Sequence, residues 1–219
     1  MRIAIAGAGN VGRAIARELL DNGHQVLLID KDPKAMKMQS VPDAEWLMAD
    51  ACEITSLDNA KLNNCQVLVA ATGDDKVNLV ASLLGKTEYG IPRVVARINH
   101  PKNEWLFDTS WGVDVAVSTP RIISALVEEA VSVGDVVRLF SFRKGQANLV
   151  ELTLPDNSSC IGKTVEEIEL PDNASLAAIV RDGQVIAVSA HDVFAAGDEL
   201  LFVASAAAEA QIKACFITI

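Results

Sequence analysis

Aromatic residues make up only 5% of this 219-residue chain, with one tyrosine, three tryptophans and six phenylalanines. The apolar half of the composition is therefore mainly Ala, Val, Leu and Ile, a palette that suits buried parallel strands flanked by helices. Cationic residues are outnumbered, 19 Lys and Arg against 29 Asp and Glu, which leaves a formal net charge of −10. That balance excludes a nucleic-acid binder, which needs clustered cations to neutralise phosphates. No apolar run approaches the ~18 residues of a membrane span. The first apolar run flows directly into glycines, so no signal peptide is expected. Four cysteines (Cys52, Cys65, Cys160, Cys215) form no CxxC pair and adjoin no histidine, so they read as reduced thiols and no metal site is expected. A soluble, cytoplasmic protein is the expectation.

Catalytic pairs are missing as well. The sole tyrosine, Tyr89, is followed four residues later by Arg93, so there is no Tyr-x-x-x-Lys couple. His24 precedes an apolar run, His100 precedes a proline and His191 sits in a polar stretch, and each reads as a surface or capping residue. Nothing near Cys52 would activate its thiol. A chain of this length still makes one large domain or two modest ones, each able to bury a core.

What is present begins with regular alternation. Ile3–Ala6, Gln25–Ile29, Trp46–Ala49, Val67–Ala71, Val94–Ile98 and Asp114–Val117 read as strands, separated by helical patterns. In the first helix Val11, Ala14, Ile15 and Leu19 share one face, while Arg13, Arg17 and Asp21 share the other. Asp74 is placed to cap a helix carrying Val77, Val80, Ala81 and Leu84. Six strands alternating with helices predict an α/β fold, a Rossmann-like doubly wound parallel sheet.

Thr119-Pro120 then reads as N-cap and first turn of a helix dense in Ile122, Ile123, Leu126, Val127, Ala130 and Val131. Two readings stand at this point: an ordinary last helix of the sheet, or one that also packs on something else. From Asp135 the periods shorten. Val136–Phe142 and Asn148–Leu154 read as strands around a loop at 143–147. Thr164 and Glu167 form a capping-box signature, and Arg181-Asp182-Gly183 marks a hairpin between Ser175–Val180 and Gln184–Val188. Glu199–Ala204 and an Ala-rich helix at Ala206–Ala214 complete a small α+β C-terminal domain, with the boundary expected near Ser132–Asp135. The expected division is a nucleotide-binding domain at 1–133 and a second domain at 134–219.

The strongest motif is Gly7-x-Gly9-x-x-Gly12 with Asp30 beyond it. It follows a strand, opens an amphipathic helix and precedes a strand that ends in an acid, the context that gives a glycine fingerprint meaning. Gly7 serves the tight turn, Gly9 the approach of a pyrophosphate and Gly12 the packing of helix on strand. The free N–H groups of the helix start make an anion site, and Asp30 can accept from ribose hydroxyls. A carboxylate there repels a 2′-phosphate and so disfavours NADP; Lys31 weakens that inference without reversing it. Asp50-Ala51 and Ala71-Thr72-Gly73-Asp74 follow later strands and can line an adenine pocket, with strand-end solvation and helix capping as alternatives for Asp50 and Thr72. Arg97 ends the fifth strand and can meet phosphate oxygens, or cap the strand through a salt bridge.

In this order, the motifs resemble the cytoplasmic regulatory subunits of Trk/Ktr-type potassium uptake systems, built from RCK (KTN) domains. The resemblance spans the chain: GAGNVG with Asp30, ADAC at Ala49–Cys52, AATGDDKVN at Ala70–Asn78, VVARI at Val94–Ile98 and GVDVAVSTP at Gly112–Pro120. The stretch from IGKTVEEIELP to GDELLFV is similar to the family's C-terminal RCK (TrkA-C) domain, and FRKGQANLVELTLP to actinobacterial Trk subunits.

The resemblance implies a role in ion transport without catalysis. It implies an adenine nucleotide (NAD or NADH, ATP, ADP or AMP) bound by the N-terminal domain, and dimers joined across a crossover helix at about 119–133. Those dimers would assemble into an octameric ring, alone or with a paralogous subunit, beneath a membrane potassium-translocating subunit on the inner face of the cell membrane. Carried over residue by residue, Gly7, Gly9, Asn10 and Val11 would line the phosphates, Asp30 the ribose, and Asp50, Ala51 and Thr72 the adenine, with Arg97 near the phosphates. Two positions depart from the pattern. Asn10 stands where several single-domain relatives carry an Arg that supports a terminal phosphate. Ser175-Leu176 and Ser189-Ala190-His191 replace the Asn-Ile pair and proline-bearing strand end with which some relatives bind cyclic di-AMP, which counts against that second ligand. The rival functional readings are a small NAD-dependent oxidoreductase and a soluble nucleotide or redox sensor with another partner.

Overall fold

The computed structural model describes residues 1–131, 133–142 and 147–217, at 128–130 and 141 as backbone alone. Most of the loop expected at 143–147, and Ser132 of the expected boundary, lie outside the described residues. The chain divides into two units, Met1–Pro120 and Arg121–Ile219.

In the first unit all six expected strands form, with ends shifted by about a residue. They are β1 (Arg2–Ala6), β2 (Gln25–Asp30), β3 (Glu45–Met48), β4 (Val67–Ala70), β5 (Arg93–Ile98) and β6 (Val115–Ser118). The sheet is parallel throughout and ordered β3-β2-β1-β4-β5-β6, the doubly wound arrangement. Helices α1 (Asn10–Asp21), α2 (Ile54–Asn59) and α3 (Asp75–Thr87) link the strands. Asp74 caps α3 as its sequence predicts, its carboxylate accepting from the Lys76 N–H at 2.8 Å.

Burial explains why β1 reads as an unbroken apolar run. Ile3 and Ile5 pack on one face with Ile15, Ala16 and Leu19 of α1. Ala4 and Ala6 point to the other face, into a cluster holding Leu27, Leu57, Leu68 and Leu79. A strand covered on both faces has no position at which a polar residue is free of cost. The strand order reverses between β1 and β4, and their carboxyl ends therefore open a crevice.

The next helix, α4 (Thr119–Val131), begins at Thr119 itself, so this residue is the first of the helix and not its cap. Beyond its first two residues the helix falls in the second unit, where the sequence assigned it to the first domain. Ile123, Leu126, Val127 and Val131 on it are exposed, a face wider than a single-sheet packing requires.

The second unit is an antiparallel sheet ordered β10-β9-β11-β8-β7, made from β7 (Val136–Ser141), β8 (Asn148–Thr153), β9 (Ala174–Arg181), β10 (Gln184–Ile186) and β11 (Glu199–Ala204). Asp182 and Gly183 both take positive φ, 51° and 73°, the two-residue hairpin that Asp-Gly predicts. The capping box forms around a single 3₁₀ turn, Val165–Glu167, with the Glu167 carboxylate accepting from the Thr164 N–H at 2.7 Å. The last helix, α5 (Glu209–Phe216), starts three residues later than the Ala-rich run. The Ser205 carbonyl and hydroxyl both accept from the Ala208 N–H, and that turn delays the helix. Phe194 meets Phe216 edge to face and Phe202 meets it at a tilt in the core of this unit.

Candidate functional site

The glycine turn takes its shape from two close backbone approaches. Gly7 has φ +109°, and a Cβ on it would lie 2.9 Å from the Ala71 carbonyl carbon. A Cβ on Gly12 would lie 1.9 Å from the Gly7 carbonyl oxygen, so α1 can lie against β1 only with a bare α-carbon here. Gly9 is the N-cap of α1 and offers no side chain, which leaves the first-turn N–H groups without an intrahelical acceptor.

Around this turn lies a cleft of about 520 Å³, within the range of small-molecule sites. Of the residues predicted for the site, Gly7, Gly9, Asn10, Val11, Asp30, Lys31, Asp50, Ala51, Ala71, Thr72, Gly73 and Arg97 all line it. Gly12 does not, because its work is the packing just described. Asp74, placed with Ala71-Thr72-Gly73 in the sequence, lines it as well, and the sequence reading missed Ile29, Ala49 and Val77, which also line the cleft. Ile29 and Ala49 are apolar positions at strand ends, indistinguishable in the sequence from core.

Asp30 holds the glycine loop as well as facing the cleft. Its Oδ2 accepts from the Ala8 N–H at 2.7 Å and its Oδ1 from the Asp32 N–H at 2.9 Å. Each carboxylate oxygen keeps a second lone pair for a ligand hydroxyl. Lys31 donates to Asp50 Oδ2 at 3.0 Å. This hydrogen bond raises the Lys31 ammonium's pKa. The Cys52 N–H and then Lys31 hold the Asp50 carboxyl below its ordinary range. Lys31 is thus already paired, and its offset to the repulsion of a 2′-phosphate is weaker than its sequence position implied.

Beside the glycine loop, Thr72 and Arg97 are joined by Asn78, a fully buried residue of α3. Its Oδ1 accepts from the Thr72 N–H at 2.9 Å and from the Thr72 hydroxyl at 2.7 Å. Its Nδ2 donates to the Arg97 carbonyl at 2.9 Å and to the Thr72 carbonyl at 3.2 Å. The same Thr72 carbonyl accepts from Asn99 Nδ2 at 3.0 Å. Asp75 extends this network, accepting from the Asn99 and His100 N–H groups and from the Asn103 side chain. Burial pushes the Asp75 carboxyl up, but these hydrogen bonds outweigh it and hold the group below its ordinary value. The sequence reading assigned neither Asn78 nor Asp75 a part in building the site; both enter it only within the AATGDDKVN stretch.

Arg97 carries the clearest sign of a missing partner. Its Nε is buried and has no hydrogen-bond partner, and among the described residues no carboxylate pairs with it. The salt-bridge alternative for Arg97 therefore finds no support. An arginine lining the same cleft as an uncapped helix start fits an anionic ligand.

The residues considered for catalysis lie elsewhere. The Tyr89 hydroxyl sits 2.9 Å from both the Ile54 carbonyl and Asp58, and burial together with that carboxylate pushes its pKa up to about 12. Burial likewise raises the Cys52 thiol, followed by the effect of Asp50. His100 caps the 3₁₀ segment Pro101–Leu106 by accepting from the Lys102 N–H. Among the described residues no group of three or more His, Cys, Asp or Glu side chains is arranged to hold a metal ion, and no helix is long and apolar enough to cross a membrane.

Comparison with known proteins agrees with this architecture. The TrkA-N domain model matches residues 3–119 and the TrkA-C domain model matches residues 149–216. The Trk system potassium uptake protein TrkA of Mycobacterium tuberculosis is 54% identical over 213 residues, 97% of each chain. Among solved structures, the GsuK channel bound to NAD superposes with a TM-score of 0.70 at 15% identity, over 98% of this chain and 39% of that one. GsuK bound to ADP matches with a TM-score of 0.51 at 26% identity, over 59% of this chain and 34% of that one. A sheet ordered around a glycine turn, an antiparallel second unit and a relative this similar along its whole length together show that the chain belongs to the TrkA family of Trk-system potassium uptake proteins.

Proposed function

We propose that this protein is a nucleotide-sensing regulatory subunit of a Trk-type potassium uptake system, and that the cleft at the glycine turn takes an adenine nucleotide. The observation that carries the reading is the buried, unpartnered Arg97 Nε on the wall of a cleft whose floor is an uncapped helix start. The residues proposed to hold the nucleotide are Gly7, Gly9, Asn10 and Val11 at the phosphates with Arg97, Asp30 with Lys31 at the ribose, and Asp50, Ala51, Ala71, Thr72 and Gly73 around the adenine. GsuK is described bound to NAD and to ADP, which supports that ligand class. The Mycobacterium relative's designation as a Trk potassium uptake protein supports the membrane potassium-translocating subunit as partner, with this chain on the cytoplasmic side.

The functional division runs at 1–133 and 134–219, with α4 as the crossover helix of a dimer. Its exposed Ile123, Leu126 and Val127 are the surface a second copy would bury. Dimers then assemble into a ring beneath the transporter. A nucleotide shifts such a ring between two shapes only by binding one of them more tightly. A tenfold preference is worth about 1.4 kcal/mol per site, and several sites in one ring sum without any bond being broken. The role is regulatory rather than catalytic.

A thermal-shift panel of ATP, ADP, AMP, NAD, NADH and NADP, with oligomer mass measured alongside, tests the reading. Stabilisation by at least one of the non-2′-phosphorylated nucleotides is expected, and it should fall in Arg97→Met. Stabilisation by none of them sinks the proposal. Arg97→Met is a cleaner probe than Asp30→Ala, because Asp30 also holds two backbone N–H groups of the loop.

A further inference from the structure

Helical periodicity places Arg13 on the outer face of α1 beside Arg17, yet the structure buries it to 8% exposure. Its side chain leans back over the preceding turn, the direction a long helical side chain takes. There Nη1 donates to the Ala8 carbonyl, inside the glycine loop, and Nη2 donates to Asn10 Oδ1 at 2.7 Å. Both acceptors are neutral. Among the described residues no Asp or Glu pairs with Arg13. A buried guanidinium without a counter-charge is costly, and the cost falls when an anion arrives nearby.

The contact also fixes Asn10. A guanidinium has only donors, so Asn10 must turn its carbonyl oxygen toward Arg13. Its NH₂ group is then the polar end left for the cleft, which Asn10 lines. Asn10 becomes an obligatory hydrogen-bond donor beside the free N–H groups of the α1 start. The cation behind it strengthens that donor and brings a full positive charge to the phosphate end of the cleft. The lysine at the cleft, Lys31, cannot do this, because Asp50 already neutralises it.

We propose that Arg13, acting through Asn10, is the positioning residue that makes this cleft select a phosphate group: the pair reads the phosphate and is indifferent to the base and ribose. The proposal rests on the nucleotide reading of the cleft and names which part of the ligand is recognised by which residues.

The test compares adenosine, AMP, ADP and pyrophosphate by calorimetric titration of the full chain, as wild type, Arg13→Met, Arg13→Lys, Asn10→Ala and Asn10→Asp. In Arg13→Met the ADP and pyrophosphate Kd should rise roughly tenfold or more while the adenosine Kd stays within about twofold, the signature of one lost charge-assisted contact. Arg13→Lys should recover part of the preference, and the salt dependence of ADP binding should weaken in Arg13→Met. Asn10→Asp, which gives Arg13 a carboxylate partner, should lose the preference as fully as Arg13→Met. Asn10 is exposed, so its two variants report even where a change at buried Arg13 disturbs folding. An ADP-to-adenosine ratio unchanged in Arg13→Met and Asn10→Asp overturns the proposal, and so does an equal loss of both ligands. If wild type binds pyrophosphate but no nucleotide, the nucleotide reading fails while the Arg13 proposal stands on the pyrophosphate arm. If pyrophosphate also fails to bind, both fall.

Discussion

Replacing Asn78 should loosen two walls of the cleft at once, and the size of the effect follows from its four hydrogen bonds. In Asn78→Ala the Thr72 N–H and the Arg97 carbonyl lose their side-chain partner inside a site from which Asn78 itself is wholly excluded from water. A buried polar group left unpaired costs about 1–3 kcal/mol. The Thr72 carbonyl is spared, because Asn99 still donates to it. Two stranded groups and a small cavity together predict a loss of about 3–4 kcal/mol in the unfolding free energy of the first unit.

Asn78→Asp separates the two functions of the side chain. Its carboxylate still accepts from Thr72, but it sets an oxygen against the Arg97 carbonyl where an N–H stood. The expectation is a smaller loss, about 2–3 kcal/mol, with a displaced β5 end. Nucleotide affinity should fall in both variants, because the Arg97 guanidinium is carried on the backbone that Asn78 holds. Urea unfolding followed by fluorescence gives the stability, and titration with ADP or NAD gives the affinity. An Asn78→Ala protein within about 0.5 kcal/mol of wild type would refute the reasoning, since a fully buried amide with four partners could not then be structural.

Gly12→Ala places a Cβ 1.9 Å from the Gly7 carbonyl oxygen, a backbone clash, so the variant should lose nucleotide binding and melt well below wild type in a thermal scan. Asp198→Ala leaves Arg181 without its two-point partner, held at 2.6 and 2.8 Å, and removes an acceptor from the Ala195 N–H; because Arg181 is over a third exposed and its freed guanidinium is hydrated, the loss should be about 1–3 kcal/mol in the second unit, measurable as a selective early transition in calorimetry. Asp75 has a folded pKa below its unfolded value, so its contribution is complete above about pH 4 and drains away as pH falls through the lowered value. Asp75→Asn should therefore be less stable than wild type at pH 7, with the gap closing in acid; a gap that persists unchanged to pH 2 would show that the carboxylate's charge plays no part.

How far the sequence reveals these features depends on the range of the interaction. The strands of the first unit are legible because burial on both faces forbids polar residues along whole runs, as in Ile3–Ala6. Asp74, Thr164 with Glu167, and Asp182-Gly183 are legible because a cap or tight turn is settled within a few residues. Gly7, Gly9 and Asp30 gain meaning from their order along one β-α-β unit. Asn78, Asp75 and the Arg181–Asp198 pair are illegible for the opposite reason. Their partners lie 6 to 28 residues away, and nothing in the spacing distinguishes an asparagine that ties two strand ends from one that faces water. The α5 start fails for a related reason: helix propensity favours the alanines, but a single serine turn at Ser205 overrides it.

Arg13 shows how a correct period can still mislead. The 3.6-residue repeat rightly directs its α-carbon away from the sheet, but a six-atom side chain can return to the loop it left. The same freedom lets Lys31 pair with Asp50, just past the end of the neighbouring strand. Charge in this cleft is therefore not distributed as the sequence spacing implies. Lys31 is neutralised by Asp50, while Arg13 and Arg97, beside the proposed phosphate position, have no carboxylate partner among the described residues. A ligand with negative charge at the glycine turn and a neutral ribose edge at Asp30 meets that polarity. A second phosphate on the ribose would place two negative charges against Asp30 and Asp50 and gain nothing from Lys31. If the cleft takes the proposed nucleotide, discrimination against a 2′-phosphate should therefore depend on the Lys31–Asp50 pair as well as on Asp30.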